Sequence, residues 1–183
     1  MMSDIYKELI GYYIKAKDYH RPHLMEMAFA EDAVLEMEVN TSAINFPSKV
    51  LGRDNITATL VKKFHEQYDN VYTLCINDGV INMENGLQCQ WLVGMTDVES
   101  GSFRIGYGHY LWRFATSGEG SACRVEHLTI TIQNMVVLPA ESASLVLPWF
   151  DSLSYPWAFL SDLSLEVPNV PILHEFLEVS SEQ

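Results

Sequence analysis

No stretch of this chain is apolar over the roughly 18 residues that a membrane-crossing helix needs, and none is expected to cross a bilayer. Basic residues are scarce. The 11 Lys and Arg against 24 Asp and Glu leave a formal net charge of −13. A surface that acidic repels phosphate backbones and anionic lipid, so neither nucleic acid nor a membrane surface is an expected partner. Cysteine is sparse as well. Cys75, Cys89 and Cys123 are odd in number, lack metal-ligand spacing and fall inside predicted strands, which suits buried free thiols in a reducing cytoplasm. The start, MMSDIYKELIGYY, lacks a basic segment followed by an apolar one, so no signal peptide and a cytoplasmic location are expected. There is no phosphate-cradling Gly-rich loop, nucleophile elbow, Cys/His catalytic pair or zinc motif, and neither a cofactor nor a metal is expected.

What is present suits one domain with a real core: 183 residues, 48% hydrophobic and 19% charged. Residues 29–68, FAEDAVLEMEVNTSAINFPSKVLGRDNITATLVKKFHEQY, organise the rest. Before them, Asp4 to Asp18 carries Ile5, Leu9, Tyr12, Tyr13 and Ala16 at helical spacing. Pro22 then opens a short helix that Glu31-Asp32 is predicted to end. Val34 to Val39 alternates, with Leu35, Met37 and Val39 on one face and Glu36 and Glu38 on the other, which predicts a half-buried strand. Gly52 turns the chain into a helix that Asp54 or Asn55 can cap, with Ile56, Leu60, Val61 and Phe64 inward.

From Val71 the period changes to two. Turn signals at Asn85-Gly86, Ser100-Gly101 and Ser117-Gly118-Glu119-Gly120 predict antiparallel strands near 71–83, 87–98, 102–116 and 121–136. Alternate glycines Gly106 and Gly108 within one strand imply sharp curvature or the close approach of another backbone. After Pro139 comes an apolar, acidic tail holding Trp149, Phe150, Tyr155, Trp157 and Phe159. So much aromatic surface must pack on the sheet, close a pocket mouth or cover a partner.

Helix, short helix, strand, helix and meander, with FAEDAVLEMEV and LGRDNITATL at the first junctions, resembles the nuclear transport factor 2-like superfamily, nearest its SnoaL-like branch. The resemblance covers residues 1–137 and leaves 138–183 as a C-terminal extension packing on the domain or on a dimer partner. It implies an α+β cone: a curved mixed or antiparallel sheet wrapped around N-terminal helices to enclose an apolar pocket. It also implies homodimers paired through the outer sheet face. Such proteins include cofactor-free isomerases, dehydratases and polyketide cyclases, and binding modules without chemistry. Two acid/base positions of the family are empty, since Met37 stands where a catalytic carboxylate would lie and Thr73 or Leu74 where a histidine would.

The remaining candidates for chemistry are His109, His127 and Tyr107. A turn centred on Gly118 would set His109 opposite His127 and Tyr107 opposite Thr129, about 5 Å apart at Cβ. The resemblance places this face in the pocket. A histidine pair exchanges protons near neutral pH, and with a tyrosine beside it can polarise a carbonyl. Tyr13, Met37, Asn77, Trp91, Val93, Met95 and Thr129 are expected to line the pocket, while Asn77-Asp78-Gly79 also reads as a bulge. Tyr12 and Tyr13 point about 100° apart, so only one of them aims inward. The expected ligand is small and largely apolar or aromatic. The alternative is a lyase or isomerase built on the histidine pair.

Overall fold

The computed structural model describes residues 2–116 and 122–182. The expected turn at Ser117-Gly118-Glu119-Gly120 lies outside the described residues. Helix α1, Met2–Asp18, carries Asp4 in its first turn and Lys15 and Lys17 in its last, each sign matched to the nearer end of the helix dipole. One face of it buries Tyr6, Ile10, Tyr13 and Ile14. A 3₁₀ turn at Pro22–Leu24 leads into α2, Met25–Ala28.

Strand β1, Phe29–Val39, begins five residues before the predicted one. Glu31-Asp32 does not end a helix but lies in the strand, where the register shifts between Phe29 and Val34. The exposed pair is accommodated by that irregularity, which sequence alternation alone does not reveal. After β2, Lys49–Leu51, come α3, Arg53–Thr57, a π-helical turn at Ala58–Lys62, and α4, Lys63–Gln67. No side chain caps α3. Gly52, at φ +87°, makes the turn itself.

The meander follows as β3, Tyr68–Ile76; β4, Ile81–Met83; β5, Gly86–Asp97; β6, Phe103–Thr116; and β7, Cys123–Leu138. The first hairpin turns at Glu84-Asn85, because Met83 pairs with Gly86, one residue earlier than the Asn-Gly signal implied. The extension adds α5, Ser142–Asp151; β8, Trp157–Ala158; α6, Leu160–Leu163; and α7, Pro171–Ser181. The sheet order is β2-β1-β7-β6-β5-β3-β8, with β4 beside β5. Strand β1 runs parallel to β7, and β8 parallel to β3; the other pairs are antiparallel. The architecture is a mixed, curved α+β sheet with N-terminal helices on one face, as the sequence implied.

Two cores result. Helices α1, α3 and α4 and the π-helical turn pack on the inner face through Ile10, Tyr13, Ile56, Leu60 and Phe64 against Leu35, Trp91, Tyr110 and Ile130. The extension packs on the outer face, where Trp149, Phe150, Leu173 and Phe176 meet Leu74, Leu92, Ile105 and Tyr107. Gly94 leaves the recess that receives Phe150; a Cβ there would stand 2.5 Å from the ring's Cε2. Strand β8 covers the β3 edge, with Cys75 N donating to Pro156 O and Asn77 N to Ala158 O.

Two tyrosine hydroxyls, of buried Tyr107 and half-buried Tyr72, fasten the extension to the sheet. Tyr107 donates to Glu175 of α7 at 2.5 Å, and Tyr72 donates to Asp151 of α5. Burial, then Glu175, pushes the Tyr107 phenol up to about 12; the Asp151 hydrogen bond, then burial, does the same for Tyr72. Both folded values lie above the ordinary 10.0, so the stability they contribute is complete below pH 10 and is lost as pH rises through about 12. Urea unfolding at pH 9 and again near pH 11.5 is expected to show that loss, and Tyr107→Phe to show a smaller one. Equal losses in both proteins would refute the assignment.

Candidate functional site

A cavity opens between the inner face of the sheet and the helices. Its floor and walls are Tyr13, Lys17, Thr73, Trp91, Val93, Tyr110 and Ile130, and Met37, Met95 and Met135 line it too. Ile44 and Phe46 of the β1–β2 loop join Leu60 and Phe64 on the helical side. Its void, mouth included, is about 420 Å³, but the centres of water-sized molecules fit over only about 40 Å³. An engineered cavity of roughly 150 Å³ accepts benzene, so a ring would need these walls to move. Three flexible methionines make such movement inexpensive.

One polar cluster interrupts the apolar lining. The stripe on α1 that buries Tyr6, Ile10 and Tyr13 continues at its next position with Lys17. Its side chain is only 7% exposed. Nζ donates to Thr73 Oγ1 at 2.6 Å and to Asp18 Oδ1 at 3.1 Å. Asp18 is held from every side: Thr73 donates its N–H to Oδ2 at 2.8 Å and its hydroxyl to Oδ1 at 2.9 Å. Tyr155, in the extension, donates its hydroxyl to Oδ2 at 2.8 Å. Burial pushes the Asp18 carboxyl up from the ordinary carboxylate range, and the Lys17 ammonium, then the bonds from Tyr155 and Thr73, pull it back. Burial also raises the phenols of Tyr13 and Tyr110, which stay protonated at neutral pH. The Cys75 thiol, in the core nearby, is pushed up first by burial and then by Cys89, which suits an inert thiol.

The histidines are elsewhere. His109 pairs with Thr131, and His127 with Arg113, not with each other. Tyr107 faces Asn134, and Thr129 faces Leu111. Four residues of strand separate the two histidines, about 13 Å. The register shifts between Tyr107 and Gly108 and again between Arg113 and Phe114, where β7 has an extra residue each time; a count from the turn cannot include these. The whole row also lies on the outer face, since Tyr110 and Trp112 belong to the inner core and Tyr107 to the outer one. His127 there meets Glu36, Nε2 to Oε2 at 3.1 Å. Strand β6 is apolar on both faces because the extension covers its outer side, so alternation could not say which row faces the cavity.

Of the seven expected lining residues, Tyr13, Met37, Trp91, Val93 and Met95 line the cavity. Thr129 and Asn77 do not. Asn77 Oδ1 accepts from Lys7 Nζ at 2.8 Å, at the foot of α1. Tyr12 is turned outward to Glu8, leaving Tyr13 as the inward tyrosine. The tail does not fill the cavity: Phe159 is exposed, and Trp157 lies against α1, its Nε1 donating to Lys7 O. Sequence reading missed Lys17, Asp18 and Tyr155. The position of Lys17 on the buried stripe was the one available signal. Among the described residues, no group of three His, Cys, Asp or Glu could hold a metal ion. None of their helices is long and apolar enough to cross a membrane.

No family model matches the chain, and no curated protein is significantly similar to it. Solved structures are similar in shape. A nuclear transport factor 2-like superfamily protein from Salmonella enterica aligns with TM-score 0.55 and 13% identity, over 75% of this chain and 94% of that one. This is the nuclear transport factor 2-like fold. The hexachlorocyclohexane dehydrochlorinase LinA-type3 from Novosphingobium barchaimii has TM-score 0.58 and 10% identity, covering 72% and 86%. A protein with a ketosteroid isomerase-like fold from Catenulispora acidiphila has TM-score 0.51 and 16% identity, covering 67% and 82%. None of the three names the SnoaL-like branch. In the nuclear transport factor 2-like fold of this chain, the cavity and its Lys17–Asp18 floor form the candidate site.

Proposed function

We propose that this chain binds a small, largely apolar molecule in the cavity between the sheet and the helices. The observation carrying this reading is the wall itself: aliphatic, thioether and aromatic side chains converging on one amine. The expected test uses methyl-labelled methionine and toluene as the probe. Of the eight methionines, Met37, Met95 and Met135 line the cavity, whereas Met27 and Met83 are exposed. Methyl resonances of the first three are expected to shift with saturation, and those of the exposed pair to stay. Shifts confined to Met27 and Met83, or none, would end the reading.

A second reading is a cofactor-free lyase or isomerase. It is favoured by the buried Lys17–Asp18 pair at the cavity and by the dehydrochlorinase among proteins of this shape. In that reading Lys17, not His109 or His127, moves the proton, with Asp18 and Thr73 holding it. Loss of turnover in Lys17→Arg with the cavity still filled by toluene would favour it over simple binding.

A further inference from the structure

We infer that the ligand is a small apolar molecule bearing one neutral hydrogen-bond acceptor, a ketone or similar carbonyl, and that Lys17 donates to it. The inference rests on the cavity reading above and specifies its ligand class.

An ammonium carries three N–H donors. Two of those on Lys17 go to Asp18 Oδ1 and Thr73 Oγ1, and among the described residues the third has no hydrogen-bond acceptor. The Phe64 ring lies 5.0 Å from Nζ and lines the same cavity. Lys17 is 6% exposed and lines the cavity, so bulk water reaches this donor little. Thr73 already donates its hydroxyl to Asp18, and the Trp91 indole N–H on the cavity wall is a further donor without a partner among the described residues. The site therefore offers a charged donor and asks for an acceptor.

Charge chooses the kind of acceptor. The Asp18 carboxylate touches Lys17 and cancels its charge. A ligand carboxylate would meet a neutral pair with a like charge beside it, and would lose its hydration for little return. A ligand ammonium would bring donors where donors already exceed acceptors. A neutral carbonyl oxygen loses little water and accepts the spare N–H. The apolar remainder of the ligand then lies against the methionines and Trp91.

The test compares shape-matched probes: cyclohexanone, methylenecyclohexane, cyclohexanecarboxylate and cyclohexylammonium, each titrated against the native protein by methionine-methyl resonances. Cyclohexanone is expected to bind about tenfold or more tighter than methylenecyclohexane, which replaces C=O by C=CH₂. That preference is expected to vanish in Lys17→Met/Asp18→Asn, which removes both charges together. Equal binding of ketone and alkene to native protein overturns the carbonyl inference and leaves the apolar cavity standing. Tightest binding by the carboxylate or the ammonium overturns it too. Binding of none of the four overturns the cavity reading along with it. Should the double variant not fold, the infrared carbonyl band of cyclohexanone bound to native protein decides. A shift to lower frequency than in alkane solvent is expected from an ammonium donor, and an unshifted band refutes the inference.

Discussion

Replacing Lys17 by methionine is expected to lower stability by about 3–5 kcal/mol, the usual result of leaving a buried charge without its partner. For a chain of this size that corresponds to a fall in melting temperature of roughly 6–15 °C. Shape is nearly conserved in this change, so the loss belongs to Asp18, which is 7% exposed and keeps only its bonds from Thr73 and Tyr155. The double variant Lys17→Met/Asp18→Asn is expected to recover most of the loss, because a neutral amide needs no counter-charge. The pH dependence has a fixed sign. Asp18 already has a carboxyl raised by burial above its ordinary 3.8, and removing Lys17 raises it further. The folded state therefore holds the proton more tightly than the unfolded one. The deficit of the single variant is complete above the folded value and shrinks as pH falls through that value toward 3.8. Thermal melts of both variants from pH 4 to pH 7 measure this. A single variant as stable as the native protein at pH 7 would mean that Asp18 is not charged there.

Gly108→Ala is expected to do more damage than any other single methyl added to the sheet. A Cβ on Gly108 would stand 1.8 Å from the Thr131 carbonyl oxygen and 2.9 Å from its carbonyl carbon, with Trp91 Cζ2 at 3.0 Å. These atoms are backbone and a buried indole, so no flexible side chain can yield. Relief requires β6 and β7 to part beside the register shift at Tyr107/Gly108. The expected cost is about 4 kcal/mol or more, at the far end of what single substitutions do, and insoluble expression is the practical form it would take. Gly11→Ala is the matched control. A Cβ there meets only Pro156 Cγ at 4.0 Å, within α1, and the gain in helix propensity is roughly 1 kcal/mol. Urea midpoints moving in opposite directions for the two variants would support this account. A soluble Gly108→Ala protein with a native midpoint would contradict the close approach of the two strands.

The order of elements was legible because each rests on local chemistry. The α1 stripe, the Glu-flanked alternation of β1, the glycine before α3 and the change to period two after Val71 all survive in the structure with shifted ends. Five cavity residues, Tyr13, Met37, Trp91, Val93 and Met95, were legible for the same reason: helix period and strand alternation point them inward with Leu35 and Ile10. The histidine pair failed where the information is not local. Its register depends on two irregularities in β7, and its face depends on what covers β6.

The sequence by itself determined the N-terminal helices, the long strands and an apolar interior, since propensity, periodicity and turn chemistry act over a few residues; the helices of the extension it left unread. Tertiary structure alone decided which face of the meander looks inward, because the extension makes both faces of β6 apolar and only packing distinguishes them. It alone brought Thr73 and Tyr155 to the adjacent Lys17 and Asp18, Thr73 from 55 residues and Tyr155 from 137 residues beyond Asp18, since the hydrogen-bonding groups that complete a buried ion pair come from other elements of the fold.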